Sequence, residues 1–214
     1  MALKKFIKII LLCLLLIACE NKKSKYVVVS EDPFIEYSKE GNDLFLFHSV
    51  FNPGRANDLT NEGISLLKEN KFKEAKIKFN NAYEMEPNNP VVLNNLGLVQ
   101  LEERNFEKAI EYFEESLIAS DSTYFLALNN LAESYGIIGE DEKSEEIYNF
   151  TISKTEIDFL KGISYLNLAL MYLNYGKIHK SKIAFHNAKL ILTKYNDFND
   201  ELAYLEFEIK HYYD

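Results

Sequence analysis

The sequence predicts an all-α chain, a solenoid of about four helix-turn-helix units closed by a C-terminal helix. Three observations predict it. The word LNNL stands at Leu93–Leu96 and again, 35 positions on, at Leu128–Leu131, with a looser copy, LNLALMY, at Leu166–Tyr172. A register of small and aromatic residues runs through the same stretches with a step of 34, then 35, then 37 residues. Beyond Ala56 the helical period is interrupted only by Pro87 and Pro90, both between expected helices.

The N-terminus comes first. MALKKFIKIILLCLLLIACE opens on Lys4, Lys5 and Lys8, runs through an apolar stretch from Ile9 to Ala18 and ends on Cys19, the layout of a secretory signal. The apolar stretch is about 10 residues long, half of the roughly 20 that a membrane-spanning helix needs. Asn21, Lys22 and Lys23 stop it there. Leu16-Ile17-Ala18-Cys19 resembles the lipobox of bacterial lipoproteins, in which the signal peptidase cuts before the cysteine and the cysteine is acylated. The resemblance implies a signal peptide over 1–18, lipidation at Cys19 and a lipidated tether over 19–25. It places the protein in a bacterial cell envelope, attached to the membrane through its acyl chains, at the outer membrane facing the periplasm. Several chains would be required, since one alone binds only marginally. With Cys13 removed and Cys19 acylated, no thiol remains for a disulfide, a nucleophile or a metal.

Charge narrows the partners. The chain has 24 basic and 33 acidic residues. Loss of residues 1–18 removes three lysines and no acid, which leaves 21 against 33 and a net charge of about −12. Nucleic acid demands a basic footprint, so it is excluded as a partner. A hydrophobic content of 47% with 14% aromatics supports a packed core.

Residues 26–55 form a non-repeat segment. They hold two apolar runs, Tyr26–Val29 and Leu44–Phe51, split by Pro33 and Gly41-Asn42. This is too apolar for a linker, so the segment is expected to pack on the solenoid.

Then the repeats begin. Each unit carries a small residue in its first helix: Gly63, Gly97, Ala132 and Ala169. Twelve residues later stands Ala75, Ala109, Ser144 or Ser181, and four further on an aromatic, Phe79, Phe113, Tyr148 or Phe185. Three beyond that comes Ala82, Ser116, Thr151 or Ala188. Small residues let two helix backbones approach, and the aromatic fills the space between neighbouring pairs. The pattern resembles the tetratricopeptide repeat, with its Leu-Gly in the first helix, Ala-x3-Phe in the second and closing proline. The resemblance implies four units, 56–89, 90–123, 125–158 and 162–195. Only Pro87 keeps the closing proline, and an insertion at 159–161 is expected to make the last joint irregular, with Thr155-x-x-Asp158 as its cap.

The end follows the logic of repeats. A solenoid exposes its last apolar face unless something covers it. The stretch 196–214 supplies Phe198, Leu202, Leu205 and Ile209 at helical spacing as a capping helix. Tyr204, Phe207, Tyr212 and Tyr213 are left for contact with a partner.

Candidate chemistry is sparse. His179 and His186 share a helix face without a third ligand, so no metal site is expected there. No Ser-His-Asp order, phosphate-cradling glycine loop or HExxH is present. Neither an enzyme nor a cofactor is expected. What remains is the inner wall, which the resemblance assigns to the first helix of each pair. Two positions before the small residue stand Asn61, Asn95, Asn130 and Asn167. Some members of the family use such a ladder to hold the backbone of an extended peptide, and an amide offers both donor and acceptor to any peptide unit. Elsewhere the same asparagines only join neighbouring helices. Ile64, Leu98, Leu166 and Leu170 add apolar patches, with Asn94 and Asn129 between them. A lysine- and arginine-based grip on a partner's C-terminus is not expected, because the matching positions are Thr60, Asn94, Asn129 and Leu166. The reading is therefore a membrane-anchored scaffold that binds a peptide segment or helix of an envelope protein in its concave groove. The alternative is a structural subunit, or a homo-oligomer, joined through helix ends and convex faces.

Overall fold

The computed structural model describes residues 27–29, 32–40, 43–48 and 54–212. The signal segment, Cys19 and the tether lie outside the described residues, as does Tyr213. Among the described residues three strands come first, β1 (Val27–Val29), β2 (Asp32–Glu40) and β3 (Asp43–His48), in an antiparallel meander of order β1-β2-β3. Four antiparallel helix pairs follow: α1 (Arg55–Lys68) with α2 (Phe72–Met85), and α3 (Pro90–Glu102) with α4 (Phe106–Ala119). Next come α5 (Phe125–Ile137) with α6 (Asp141–Lys154), and α7 (Asp158–Asn174) with α8 (Ile178–Leu192). A single 3₁₀ turn, Asn196–Phe198, leads into α9 (Asn199–Lys210). The helical solenoid is as expected. The meander is an addition to it, and its β-branched run Val27–Val29 and the phenylalanines of Asp43–His48 suit a pleated surface.

The turn inside each pair is the same device four times. Asn70, Arg104, Gly139 and Gly176 all adopt left-handed φ values, between 57° and 86°. Just beyond each, an amide reaches back across the end of the first helix: Lys71 N–H to Leu66 O, Asn105 to Gln100, Glu140 to Tyr135 and Lys177 to Tyr172. These bonds satisfy carbonyls that the helix end would orphan. The start of α3 is equally explicit, because Pro90 takes its first position and Asn89 Oδ1 accepts from Val91 and Val92 N–H.

Packing inside a pair depends on the small residues. A Cβ on Gly63 would lie 2.5 Å from Phe79, and one on Gly97 would lie 2.4 Å from Phe113, so the aromatic ring rests directly on the bare helix backbone. Phe79 and Phe113 are fully buried. The fourth unit differs. Phe185 is only partly buried there, and the close approach moves to Gly162, whose Cβ would meet Leu192 and Ile191. The expected irregular joint at 159–161 is absent. Those residues form the first turn of α7, lengthened to 17 residues, because Phe159 and Leu160 are buried beside Tyr195 and Phe198. Thr155 makes no capping box with Asp158; its Oγ1 accepts from Ile157 N–H at 3.2 Å.

Among the described residues the core is a row of three apolar clusters along the solenoid. The first joins α1 and α2 to Val92, Leu96 and Val99 of α3. The second joins Leu98 of α3 and Phe113 of α4 to Leu128 and Leu131 of α5. The third spans α5 to α9 and also includes Ile35 and Leu46 from the strands. α3 is therefore apolar on both sides, as an interior helix must be. α1 instead exposes Asp58, Glu62 and Ser65 where α3 buries Val92, Leu96 and Val99.

Candidate binding face

The four first helices, α1, α3, α5 and α7, stand side by side and form one wall. Small residues aim one face of each helix at its second helix, so positions roughly opposite form the inner face of the wall. Asn61, Asn95, Asn130 and Asn167 lie there, with Leu126 and Ile163 one turn earlier.

Most of the amides are engaged with neighbours. Asn130 Nδ2 donates to Asn94 Oδ1 at 2.8 Å, a buried bond from α5 to α3. Ser164 Oγ donates to Asn129 Oδ1 at 2.8 Å and so ties α7 to α5. Asn167 Nδ2 donates to the phenol oxygen of Tyr148 at 2.9 Å, joining α7 to α6. Burial holds the Tyr148 phenol well above its ordinary pKa, so it stays neutral. Asn95 behaves differently. Its Nδ2 donates to Val91 O at 2.9 Å, while its buried Oδ1 accepts nothing from the described residues. Asn61 is partly buried at the open polar end of the row. The four asparagines are thus not equivalent rungs.

The apolar members of the expected groove are placed as follows. Ile64 is buried in the first cluster and Leu98 in the second. Leu166 is buried in the third, with Leu170 packed against it. Ile35 and Leu46 of the strands belong to that same third cluster, and the His48 ring stacks on Tyr124, just before α5, at 5.6 Å between centroids. The wall is consequently covered at one end and open at the other. In the N-terminal halves of its helices Leu126, Asn130, Ile163 and Leu166 are at most 5% exposed. In the C-terminal halves Glu102, Glu133 and Asn174 are exposed, and Ile137 is 51% exposed. Sequence reasoning did not find Ile35, Leu46, His48, Tyr124 or Ser164. The apolar run beginning at Leu44 was the available signal, although its destination was not.

Elsewhere, His179 and His186 are exposed on α8, and no group of three or more acidic, His or Cys side chains able to hold a metal exists among the described residues. No described helix is long and apolar enough to cross a membrane. On α9 and the turn that follows it, Tyr204, Phe207 and Tyr212 are each about half exposed, and the His211 ring lies tilted on Phe207 at 4.4 Å between centroids.

Comparison with known proteins agrees with this geometry. A tetratricopeptide-repeat family model matches residues 91–117, which covers α3 and most of α4. The chain is 27% identical over 130 residues to the anaphase-promoting complex subunit CDC16 of Saccharomyces cerevisiae, a match over 56% of this chain and 15% of that protein's length. Among solved structures, pilF of Pseudomonas aeruginosa superposes with a TM-score of 0.65 at 21% identity, covering 74% of this chain and 70% of that one. A tetratricopeptide repeat protein from Parabacteroides merdae superposes with a TM-score of 0.57 at 21% identity, covering 75% and 62%. The fold is an α-helical solenoid of the tetratricopeptide type.

Proposed function

We propose that the chain is a lipid-anchored scaffold of a bacterial envelope that holds an extended segment of a protein partner against the inner wall of its solenoid. The observation that carries the binding part is Asn95. Its amide oxygen sits on the inner wall, buried and accepting no bond from the described residues, while its nitrogen is held by Val91 O. A buried acceptor left unmatched costs about 1–3 kcal/mol, which a peptide N–H recovers on binding. Anchoring rests on the lipobox-like Leu16-Ile17-Ala18-Cys19, which fits outer-membrane attachment with the solenoid in the periplasm.

Two experiments test this. Labelling with a fatty-acid analogue should mark the wild type and not Cys19→Ser; label persisting on the serine variant rejects the anchor. Crosslinking in native membranes should yield a protein whose affinity drops about tenfold or more on Asn95→Ala, since about 1.4 kcal/mol is a factor of ten.

A second reading has its own observation. The exposed aromatic face of α9, with Phe207 at 57% exposure, suits a structural subunit or homo-oligomer joined through the solenoid's end. A partner that ignores Asn95→Ala but is lost on changing Tyr204 and Phe207 to serine selects that reading.

A further inference from the structure

The N-terminal strands present a single face to the solenoid. In the β2–β3 ladder Ile35 stands directly opposite His48, and Leu46 lies two residues before His48. Residues opposite each other in an antiparallel pair, and residues two apart on one strand, point the same way. Ile35, Leu46 and His48 therefore form one patch. The first two are 1% and 3% exposed and belong to the third cluster, of which Leu126, Ile163 and Leu166 are also members, and the third is stacked on Tyr124.

We propose that the β2–β3 strand pair is a resident occupant of the inner wall, and that a partner's extended segment competes with it for that place. This rests on the inner-wall reading above and specifies its ligand. The competing segment should present an aliphatic side chain and, two positions later, an aromatic or imidazole ring, as Leu46 and His48 do. The wall explains both preferences. Leu126, Ile163 and Leu166 offer an apolar seat, and Tyr124 offers a ring face for stacking. Extended geometry is required because only a two-residue period aims both side chains at the wall. Attachment in the same chain makes the strands a strong competitor, so that the wall is available only for the fraction of time that they are detached.

A synthetic peptide of residues 32–48 serves as the probe, with the full-length chain as receptor. Wild type should bind it weakly. Ile35→Asp with Leu46→Asp in the chain should detach the strands, keep the helical circular dichroism and raise peptide affinity by about tenfold or more. A peptide carrying Leu46→Asp should bind neither protein. Hydrogen exchange on the wild type gives an answer that does not depend on the variant's folding. Strand amides should exchange through a local opening, well ahead of those in α3 and α5. If they exchange only together with the whole solenoid, the strands are a permanent part of the core and the competition is overturned, while the Asn95 reading stands. If the strands open locally and the detached variant gains no peptide affinity, the inner wall is not a peptide site and both readings fail.

Discussion

Arg104 holds its backbone at φ 58°, in the position that Gly139 and Gly176 occupy in the last two units. The left-handed conformation costs an ordinary L-residue roughly 1–2 kcal/mol and costs glycine almost nothing. Its side chain is exposed. Arg104→Gly should therefore raise stability by about 0.5–1 kcal/mol after glycine's extra unfolded-state entropy is deducted, and thermal melting reads the change. A drop in stability would show that the turn is not the strained one. The sequence displayed glycine at two of these four positions and concealed the other two, because asparagine and arginine declare no φ. The asparagine row has the same character. Its placement was legible from spacing, but the choice between peptide ligand and interhelical strut depends on neighbours 35 residues away, such as Ser164 for Asn129.

Within a unit, the ring of Phe113 and the bare backbone of Gly97 are one interaction. Gly97→Ala alone should cost about 1–3 kcal/mol, since its Cβ would lie 2.4 Å from the ring. Phe113→Ala alone should cost about 3–5 kcal/mol. In the Phe113→Ala background, however, Gly97→Ala should become stabilising by up to about 1 kcal/mol, because only helix propensity then remains. Urea titrations of the four proteins decide it, and simple additivity would break the pairing. Between units, Glu145 of α6 accepts from the Tyr172 hydroxyl at 2.7 Å and from Lys180 at 2.9 Å. Those partners depress its pKa below the usual carboxylate value, the tyrosine bond foremost, with burial opposing them. A depressed folded pKa means stability present above the unfolded value near 4.5 and lost as pH falls through the folded one. Glu145→Gln should therefore shrink the stability difference between pH 7 and about pH 3; an unchanged acid limb in denaturant titrations would remove Glu145 from the account. The first three pairs could be read from sequence because their spacing is strict. The fourth departs from its pattern at 159–161, where Phe159 meets the rings of Tyr195 and Phe198, partners that no local pattern announces.

At the scale of the whole chain the two ends of the solenoid differ. α1 exposes Asp58, Glu62 and Ser65, while α9 and the turn after it expose Tyr204, Phe207 and Tyr212. Charge at the first end keeps another helix from stacking there. Asp58→Val with Glu62→Leu should rebuild the face that Val92 and Leu96 present in α3, and sedimentation should show a larger mass than the wild type's at equal concentration. An unaltered mass would mean that the polar end does not guard against stacking. The helical body was legible because each helix packs on its neighbours in sequence, at a spacing the repeat register displays. The strands were not, because Ile35 and Leu46 reach their partners across the whole of the first two units. That long reach has a mechanical consequence. Tension on the N-terminus enters the molecule at the third and fourth units, by way of the sheet, and leaves α1 to α4 slack. In an optical trap pulling between the two termini, the first rupture should pay out at most about 100 Å as residues 27–54 straighten. Only then should the first helix pair bear load.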